Sequence, residues 1–292
     1  MKNVKKNLPY VLFLALAIII YTIITFIPVI RTFIYSFTNF NGLSQYKFIG
    51  LSNYIQAFQT KNVVQSFKNT LIYAVSVPVL VTFLAILLAV ILSGKMRSRN
   101  IQRAIFFFPS VISSLFVGYI WNFILSASKY GLVNSILTGL GLEKLPLLSD
   151  PESAMVLLIL VSVWCNLGWH ASIYIANIQT ISPEYYEAAE VDGASAWDKF
   201  RYITFPMLAP AMTTSVMLLL TGSLKAFDMP FALTGGGPGY STTMITQTII
   251  TEGIGANRVG FASAMAFVFL FTIAVVSTLQ TKFMTRREDN LQ

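Results

Sequence analysis

Six long apolar segments constrain the fold of this chain more than any other feature of its sequence. They cover approximately residues 9–31, 69–93, 104–126, 154–178, 207–228 and 260–281. A helix rises about 1.5 Å per residue, so segments of about 18–25 residues match the roughly 30 Å hydrocarbon core of a bilayer. Only 11% of the residues are charged, whereas soluble domains have about 25%. The sequence therefore predicts an all-α membrane protein with six transmembrane helices.

The first apolar segment follows a basic N-terminal stretch, an arrangement that signal peptides share. From Pro9 to Ile30 it is about 22 residues long, which is enough to span a bilayer, and it has no clear small-residue cleavage site. We therefore expect a membrane anchor that remains part of the protein.

Basic residues lie in short clusters beside the apolar segments. The net charge of +8 therefore indicates membrane topology and not a nucleic-acid-binding face. Twelve of the twenty basic residues flank alternate connectors: Lys2, Lys5, Lys6, Lys95, Arg97, Arg99, Arg103, Lys199, Arg201, Lys282, Arg286 and Arg287. Seven others are spread over the longer connectors: Arg31, Lys47, Lys61, Lys68, Lys129, Lys144 and Arg258. The positive-inside rule predicts that both termini and the 182–206 loop are cytosolic.

The sequence also limits the chemistry of the chain. Its single cysteine, Cys165, lies in an apolar segment and cannot form an intrachain disulfide, and its single histidine, His170, has no nearby acidic cluster. No GxxxxGK motif followed by serine or threonine is present. We therefore expect no catalytic residue, metal or cofactor in this chain, so that any ATP hydrolysis belongs to another subunit.

Residues 182–206 form a charged island between two apolar segments. Ser182 is a favourable N-cap for a first short helix, and Gly193 follows it where a left-handed conformation is tolerated. Ser195 is placed to cap a second helix that extends to about Ile203. Interleaved acidic and basic side chains exclude this segment from hydrocarbon, so it is predicted to be two short helices that meet at a bend.

Several of its residues resemble the "EAA…G…I-LP" loop of binding-protein-dependent ABC importer permeases: Glu187, Ala188, Ala189, Asp192, Gly193, Ile203 and Pro206. Phe205 stands where the pattern usually has leucine. The resemblance implies a type I ABC importer permease fold whose cytosolic coupling helix docks in a cleft of an ATPase subunit, with Glu187 as an anchor for a cation. The alternative is a connector that merely joins two membrane helices.

Residues 233–242, LTGGGPGYST, cannot continue a helix and are predicted to form a tight loop at the outer membrane face. Gly235, Gly236, Gly237 and Pro238 resemble the "TGGGP…T" element of the carbohydrate-importing branch of ABC permeases. The alternative is a plain structural turn.

The fourth apolar segment is unusually polar and aromatic, with Trp164, Asn166, Trp169, His170 and Ser172. Such groups are expected to face the interior of a helix bundle. Aromatic faces with amide and hydroxyl groups suit a sugar, so these residues are candidates for the substrate pathway. Interhelical hydrogen bonding explains them equally well, and we expect His170 to be packed or hydrogen-bonded.

The fifth segment contributes two further pathway candidates, Ser223 and Lys225. Lys225 and Asp228 are three residues apart and could meet on one helical face. This end of the segment is therefore either an interfacial ion pair or the outer end of the pathway.

The resemblance covers nearly the whole chain and implies three regions. Residues 1–65 would hold the N-terminal tail, the first transmembrane helix and an outer connector, residues 66–281 the transmembrane core, and residues 282–292 a cytosolic tail. The implied function is the pore subunit of a carbohydrate importer in a bacterial cell membrane.

The implied partners are a second homologous permease, two cytosolic ATPase subunits that bind ATP and Mg²⁺, an extracellular solute-binding protein, a carbohydrate and the lipid bilayer. An ion-coupled secondary transporter is an alternative, although it would need buried carboxylates and two related halves. A structural or assembly protein without a pathway is another. Glycerol phosphate or a polyol is an alternative substrate for an ABC permease.

Overall fold

The computed structural model describes residues 2–94, 96–128 and 130–289. Two basic residues of the topology prediction, Lys95 and Lys129, lie outside these ranges, and so does the end of the predicted tail. The described part also excludes the side chains of Lys2, Lys5, Lys6 and Arg287. Regular structure in the described ranges is helical, with one isolated antiparallel bridge between Thr38 and Phe48. The predicted all-α class is confirmed.

The chain divides into two compact units, Met1–Lys61 with Thr248–Phe271, and Asn62–Gln247 with Thr272–Gln292. The division of the sequence at residues 65 and 281 remains a prediction.

The first unit begins with one continuous helical rod. Its parts are α1 (Lys2–Tyr21), a π-helical turn (Thr22–Phe26) and α2 (Ile27–Ser36). The apolar portion, Phe13–Ser36, starts and ends a few residues later than the predicted first segment. Because its side chains are largely exposed within the chain, this helix is suited to lipid or to another protein.

Short elements complete the first unit: α3 (Ser52–Gln59), a π-helical turn (Thr251–Gly255) and the start of α15 (Val259–Asp289). The buried Asn53 side chain donates hydrogen bonds to the carbonyls of Ser36 and Thr38 at 2.9 and 2.8 Å. These bonds satisfy backbone groups where α2 ends and thereby fix the aromatic connector.

The second unit contains the remaining helices, and these comprise α4 (Lys61–Ser93, from Asn62 onward), α5 (Arg99–Val111), α6 (Ser114–Leu125), α7 (Leu132–Gly139), α8 (Pro151–Ile178), α9 (Pro183–Val191), α10 (Ala196–Lys199), α11 (Phe205–Met207), α12 (Ala209–Leu224), α13 (Asp228–Thr234) and α14 (Ile245–Ile250, up to Gln247). A 3₁₀ turn (Leu147–Ser149) precedes α8, and a π-helical turn (Phe200–Thr204) connects α10 to α11. The helices α4 and α8 are long enough to cross a bilayer unbroken.

One predicted span, the third, is bent in the structure, and the fifth begins at a second bend, because Ala196–Met207 belongs almost entirely to the predicted 182–206 loop. The helices α5 and α6 meet at 96°, and the stretch Ala196–Met207 meets α12 at 64°. The described residues thus hold four helices long and apolar enough to cross a membrane, or six candidate spans if each bent pair counts as one. The predicted fifth segment is too long at its end, because α12 stops at Leu224.

The bend between α5 and α6 gives the single cysteine a structural role. Ile112 and Ser113 adopt extended backbone angles, so Ser113 does not donate to the carbonyl of Pro109 as a continuing helix would. The buried Cys165 thiol lies 3.5 Å from that carbonyl oxygen and donates to it. Cys165 therefore supplies a partner to a backbone group that the helix break leaves without one.

Glycines allow the helices of the second unit to pack closely. A Cβ on Gly168 of α8 would lie 2.0 Å from the Phe106 carbonyl oxygen of α5. A Cβ on Gly118 of α6 would lie 2.6 Å from the Ala232 Cβ of α13. Small residues at such contacts are the usual means by which membrane helices approach each other.

We expect Gly168→Ala to lower the free energy of unfolding by about 1–3 kcal/mol, because the new methyl group overlaps backbone that cannot rotate away. The helix propensity of alanine opposes this loss by about 1 kcal/mol. Gly139→Ala is the matched control, because nothing lies within 4 Å of its added Cβ. Thermal unfolding in detergent measures both variants, and equal melting temperatures would contradict the close-packing argument.

Candidate functional site

A cavity of about 390 Å³ opens beside α8 within the second unit. Its floor includes the helix break between α12 and α13, where Lys225, Ala226 and Phe227 separate the two helices. The lining combines hydroxyl, amide and indole groups with one lysine and one aspartate. These residues include Tyr73, Ser114, Ser162, Asn166, Trp169, His170, Ser223, Lys225, Phe227 and Asp228.

The structure brings together most of the predicted pathway residues. Asn166, Trp169 and His170 of α8 line the cavity along with Ser223 and Lys225. Residues three and four apart share one helical face, which explains why these three α8 residues act together.

The structure places Trp164 and Ser172 away from this cavity. Each is two residues from a cavity-lining position, so it points to a different side of α8. Trp164 packs edge-to-face on Trp121 at a centroid distance of 5.5 Å, and the Ser172 hydroxyl donates to the Gly168 carbonyl at 2.9 Å.

His170 is hydrogen-bonded, as one of the two sequence interpretations expected. Its side chain is only 3% exposed, and its Nδ1 lies 2.8 Å from the Ser215 hydroxyl of α12. Beside it, the Tyr73 hydroxyl donates to Ser162 at 2.8 Å, and the Asn166 amide donates to the Ser162 carbonyl at 2.8 Å. Side-chain hydrogen bonds therefore join α8 to α4 and to α12 at the cavity wall.

Sequence reasoning missed Tyr73 and Ser114 as lining residues, because α4 and α6 carry no polar pattern that distinguishes them. It also placed Lys225 and Asp228 on one helix, which is wrong. Phe227 has backbone angles of −137° and −56°, and Asp228 begins the separate helix α13. Lys225 and Asp228 form no ion pair within 4 Å in the described part of the chain.

The predicted non-helical loop follows α13, but it starts two residues later than predicted, because Leu233 and Thr234 are the last residues of that helix. Gly235 is left-handed with φ of +61°, and Gly236 has φ of +91° with Thr243 so close that a Cβ would lie 2.5 Å from its hydroxyl. Gly237 and Pro238 continue the turn, which Thr242 ties together by donating to the Gly237 carbonyl at 2.8 Å. The glycines at 235 and 236 are therefore required by the backbone of this loop.

The 182–206 segment forms two short helices at a bend, as predicted. The Ser182 hydroxyl caps α9, and Gly193 adopts φ of +77° after it. Ser195 and Asp198 form a capping box at the start of α10. Hydrogen bonds from the Ser195 hydroxyl and backbone N–H lower the pKa of Asp198, so the box persists at neutral pH.

We call residues 182–206 the elbow. Two contacts that the sequence did not reveal hold its two halves together. The Lys199 ammonium lies 2.6 Å from the Glu190 carboxylate, and the Tyr186 and Thr204 hydroxyls are 2.9 Å apart. The second helix extends beyond the predicted Ile203 because a π-helical turn leads directly into α11.

The residues predicted to contact an ATPase differ in exposure. Glu187, Ala188, Asp192 and Gly193 are exposed, whereas Ala189, Ile203 and Pro206 are half-buried. The exposed members all lie on α9 and in the turn that follows it.

Residues 81–289 match the family described as "Binding-protein-dependent transport system inner membrane component". The match covers more than half of the chain. The chain belongs to this family. It is therefore a multi-pass permease component of the inner membrane.

Individual permeases resemble nearly the whole chain. It is 34% identical to the "Probable starch degradation products transport system permease protein AmyD" of Thermoanaerobacterium thermosulfurigenes, over 98% of this chain and 97% of the relative. It is 31% identical to the "Multiple sugar-binding transport system permease protein MsmF" of Streptococcus mutans, over 94% and 95%.

A solved structure has the same fold. A chain of the bacterial alginate ABC transporter in complex with alginate pentasaccharide-bound periplasmic protein aligns with a TM-score of 0.87 and 25% identity, over 98% of this chain and 97% of that one. This similarity confirms the type I ABC importer permease fold of the present permease.

We expect Tyr186→Phe to loosen the elbow of this permease. Loss of the hydrogen bond to Thr204 removes about 1 kcal/mol, so amides in α9 and α10 should exchange about fivefold faster. Tyr185→Phe is the matched control, because Tyr185 is 54% exposed and its hydroxyl meets no hydrogen-bond partner among the residues that the structure describes. Hydrogen exchange followed by mass spectrometry reports both. Identical exchange in the two variants would mean that the hydroxyl pair does not hold the elbow.

Proposed function

We propose that this chain is the pore-forming permease subunit of an ATP-driven carbohydrate importer. The observation that carries the proposal is the full-length similarity to permeases whose names specify sugar transport, at 34% and 31% identity. The cavity chemistry supports it, since indole, amide and hydroxyl groups match the apolar faces and hydroxyls of a sugar.

The proposed arrangement has six spans with both termini and the 182–206 elbow in the cytosol. The bent pair α5 and α6 counts as one span, whereas at the second bend α12 is the span and Ala196–Met207 stays with the elbow outside the bilayer. The clustering of basic residues on alternate connectors supports the orientation. A cysteine-accessibility assay on the membrane, with single cysteines in the elbow and in the 233–242 loop, would test it. The two sites should react from opposite sides.

The elbow is the proposed coupling element. Glu187, Ala188, Asp192 and Gly193 would contact an ATPase subunit directly, while Ala189, Ile203 and Pro206 would support them from behind. An ion pair joins α9 to α10, and the Tyr186–Thr204 hydroxyl pair joins α9 to the π-helical turn after α10. A force on one of these parts is therefore passed to the others, as a two-state lever requires.

The proposed assembly contains a second homologous permease, two ATPase subunits that bind ATP and Mg²⁺, and an extracellular solute-binding protein. A periplasmic protein loaded with an alginate pentasaccharide accompanies the alginate transporter, which supports the last of these partners. The exposed helix Phe13–Ser36 offers apolar surface to lipid or to the second permease.

The cavity favours an uncharged carbohydrate. Its lining carries one lysine and one aspartate, so the two formal charges cancel. A site for glycerol phosphate would need an excess of cationic groups. A polyol remains the competing substrate, because it offers the same hydroxyls as a sugar. A polyol lacks, however, the flat ring face that Trp169 could stack on.

The decisive test is uptake by proteoliposomes that contain the complete importer. Labelled neutral oligosaccharide should enter only with ATP and the binding protein, and an ionophore should have no effect. Uptake that continues without ATP and stops with the ionophore would instead establish the ion-coupled alternative.

Charge reversal tests the coupling role. We expect Glu187→Lys to weaken association with the ATPase more than about tenfold, because a like charge at a docking contact costs several kcal/mol. Glu143→Lys, the same charge reversal at an exposed position between α7 and α8 and outside the elbow, is the control and should bind normally. Co-purification and binding protein-stimulated ATP hydrolysis provide the measurement. Normal coupling in Glu187→Lys would refute the role of this residue.

Removing one charge should change the selectivity of the cavity. We expect Asp228→Asn to strengthen inhibition of uptake by an acidic oligosaccharide about threefold to tenfold, since Lys225 is then uncompensated in a partly solvated site. Asp228→Glu keeps the charge and should behave as the unchanged permease. Competition assays with neutral and acidic oligosaccharides of equal length measure the shift. Unaltered selectivity in Asp228→Asn would show that charge balance does not select the substrate.

A further inference from the structure

The helix break beside the cavity depends on a residue outside the cavity. Where α12 ends, the Ala226 N–H donates to the Ser223 carbonyl at 3.3 Å, so the backbone begins to turn away. The Ala226 carbonyl accepts a hydrogen bond from the Thr246 hydroxyl of α14 at 2.6 Å. This bond spans 20 residues of sequence and reaches the middle of the break.

A backbone carbonyl at a helix break in a membrane protein needs a partner, because hydrocarbon provides none. Ala226 itself lines the cavity, between Lys225 and Phe227. Thr246 is half-buried and does not line the cavity. It therefore influences the cavity through the backbone of Ala226 and not through contact with a ligand.

Thr246 is itself held in place by α4. The Ile245 N–H, at the start of α14, donates to the Thr70 hydroxyl at 2.9 Å. Ile245 is fully buried and Thr70 is 2% exposed, so solvent cannot replace this bond. The first residue of α14 is thus fixed directly before Thr246.

A second anchor lies one residue earlier on α4. The Asn69 amide donates to the Tyr240 carbonyl at 2.9 Å and to the Thr243 carbonyl at 3.0 Å. Asn69 is 1% exposed, and its own side-chain oxygen accepts from Gln65 at 2.8 Å. The end of the glycine-rich loop is therefore bound to α4 just before α14 begins.

We propose that Thr246 is a positioning residue for substrate selection. Thr246 fixes the helix break that is flanked by Lys225 and Asp228, and Thr70 and Asn69 hold the start of α14, and with it Thr246, against α4. The inference rests on the proposed function, in that the cavity binds the transported carbohydrate. It assigns a role to the Asn69-Thr70 pair and to the glycine-rich loop, which connect α4 to the cavity through α14.

The test compares Thr246→Val with Thr246→Ser in the complete importer. Valine keeps the shape but loses the donor, so the KM for uptake should rise about fivefold, the equivalent of one hydrogen bond of ordinary strength. Serine keeps the donor and should restore the KM. Basal ATP hydrolysis should be unchanged. Thr214→Val is the matched control, because within the described ranges the Thr214 hydroxyl bonds inside α12, to the Pro210 carbonyl.

A second readout does not depend on transport. Amides of residues 223–229 should exchange faster in Thr246→Val than in Thr246→Ser, in the assembled complex without substrate. Thr246→Ala is measured in parallel, because it removes the hydroxyl without any risk of a clash. When Thr246→Val and Asp228→Asn are combined in a double-mutant cycle, their effects on KM should be non-additive. A merely structural role of Thr246 would instead lower the melting temperature and leave the effects of the two substitutions on KM independent.

Unchanged KM and unchanged exchange in Thr246→Val would overturn the inference even if the importer transports sugar normally. A rise in KM that serine does not reverse would also overturn it, because the hydroxyl would then not be the active group. If the unmodified complex transports no carbohydrate, the proposed function fails, and the exchange contrast still decides whether Thr246 positions the break.

Discussion

The need to satisfy backbone polar groups without help from water governs this structure. An unbroken helix satisfies its own amides and carbonyls, but every break leaves some of them open. The second unit breaks its helices repeatedly, and side chains from other helices supply the missing partners. Cys165 donates a hydrogen bond to the Pro109 carbonyl, Asn122 donates to the Leu233 carbonyl at 2.7 Å, and Thr246 donates to the Ala226 carbonyl.

These breaks create the functional geometry. A straight α12 would have carried Lys225 and Asp228 on one helical face and paired them. Because the helix stops at Leu224 and α13 starts at Asp228, both charges instead reach the cavity wall separately. Close approach at Gly168 and Gly118 then brings the neighbouring helices within reach of the freed backbone groups.

The elbow at residues 182–206 is stabilised in a different way. It is built from short helices that could not persist alone, so local caps and cross-links stabilise it. The Ser195–Asp198 capping box, the Lys199–Glu190 ion pair and the Tyr186–Thr204 hydroxyl pair fix its shape. Four of the residues that resemble a coupling motif, Glu187, Ala188, Asp192 and Gly193, are exposed on this cross-linked segment.

The sequence by itself determined the helical class, the approximate spans, the caps of the elbow and the family resemblance. Each of these depends on properties that a short stretch carries alone, namely hydropathy over about 20 residues, capping chemistry and a fixed local spacing. It also identified Asn166, Trp169, His170, Ser223 and Lys225, because polar groups in apolar segments are conspicuous.

Only the tertiary structure decided which of these groups share a cavity and which backbone groups lack a partner. Tyr73 and Ser114 join the cavity from helices without a distinguishing pattern, and Trp164 points away despite its position among polar neighbours. Thr70 accepts a hydrogen bond from Ile245, 175 residues away in sequence, and the next residue, Thr246, donates to the Ala226 carbonyl. Such contacts arise from helix crossing and helix breaks, which depend on packing over the whole unit and not on any local run of residues.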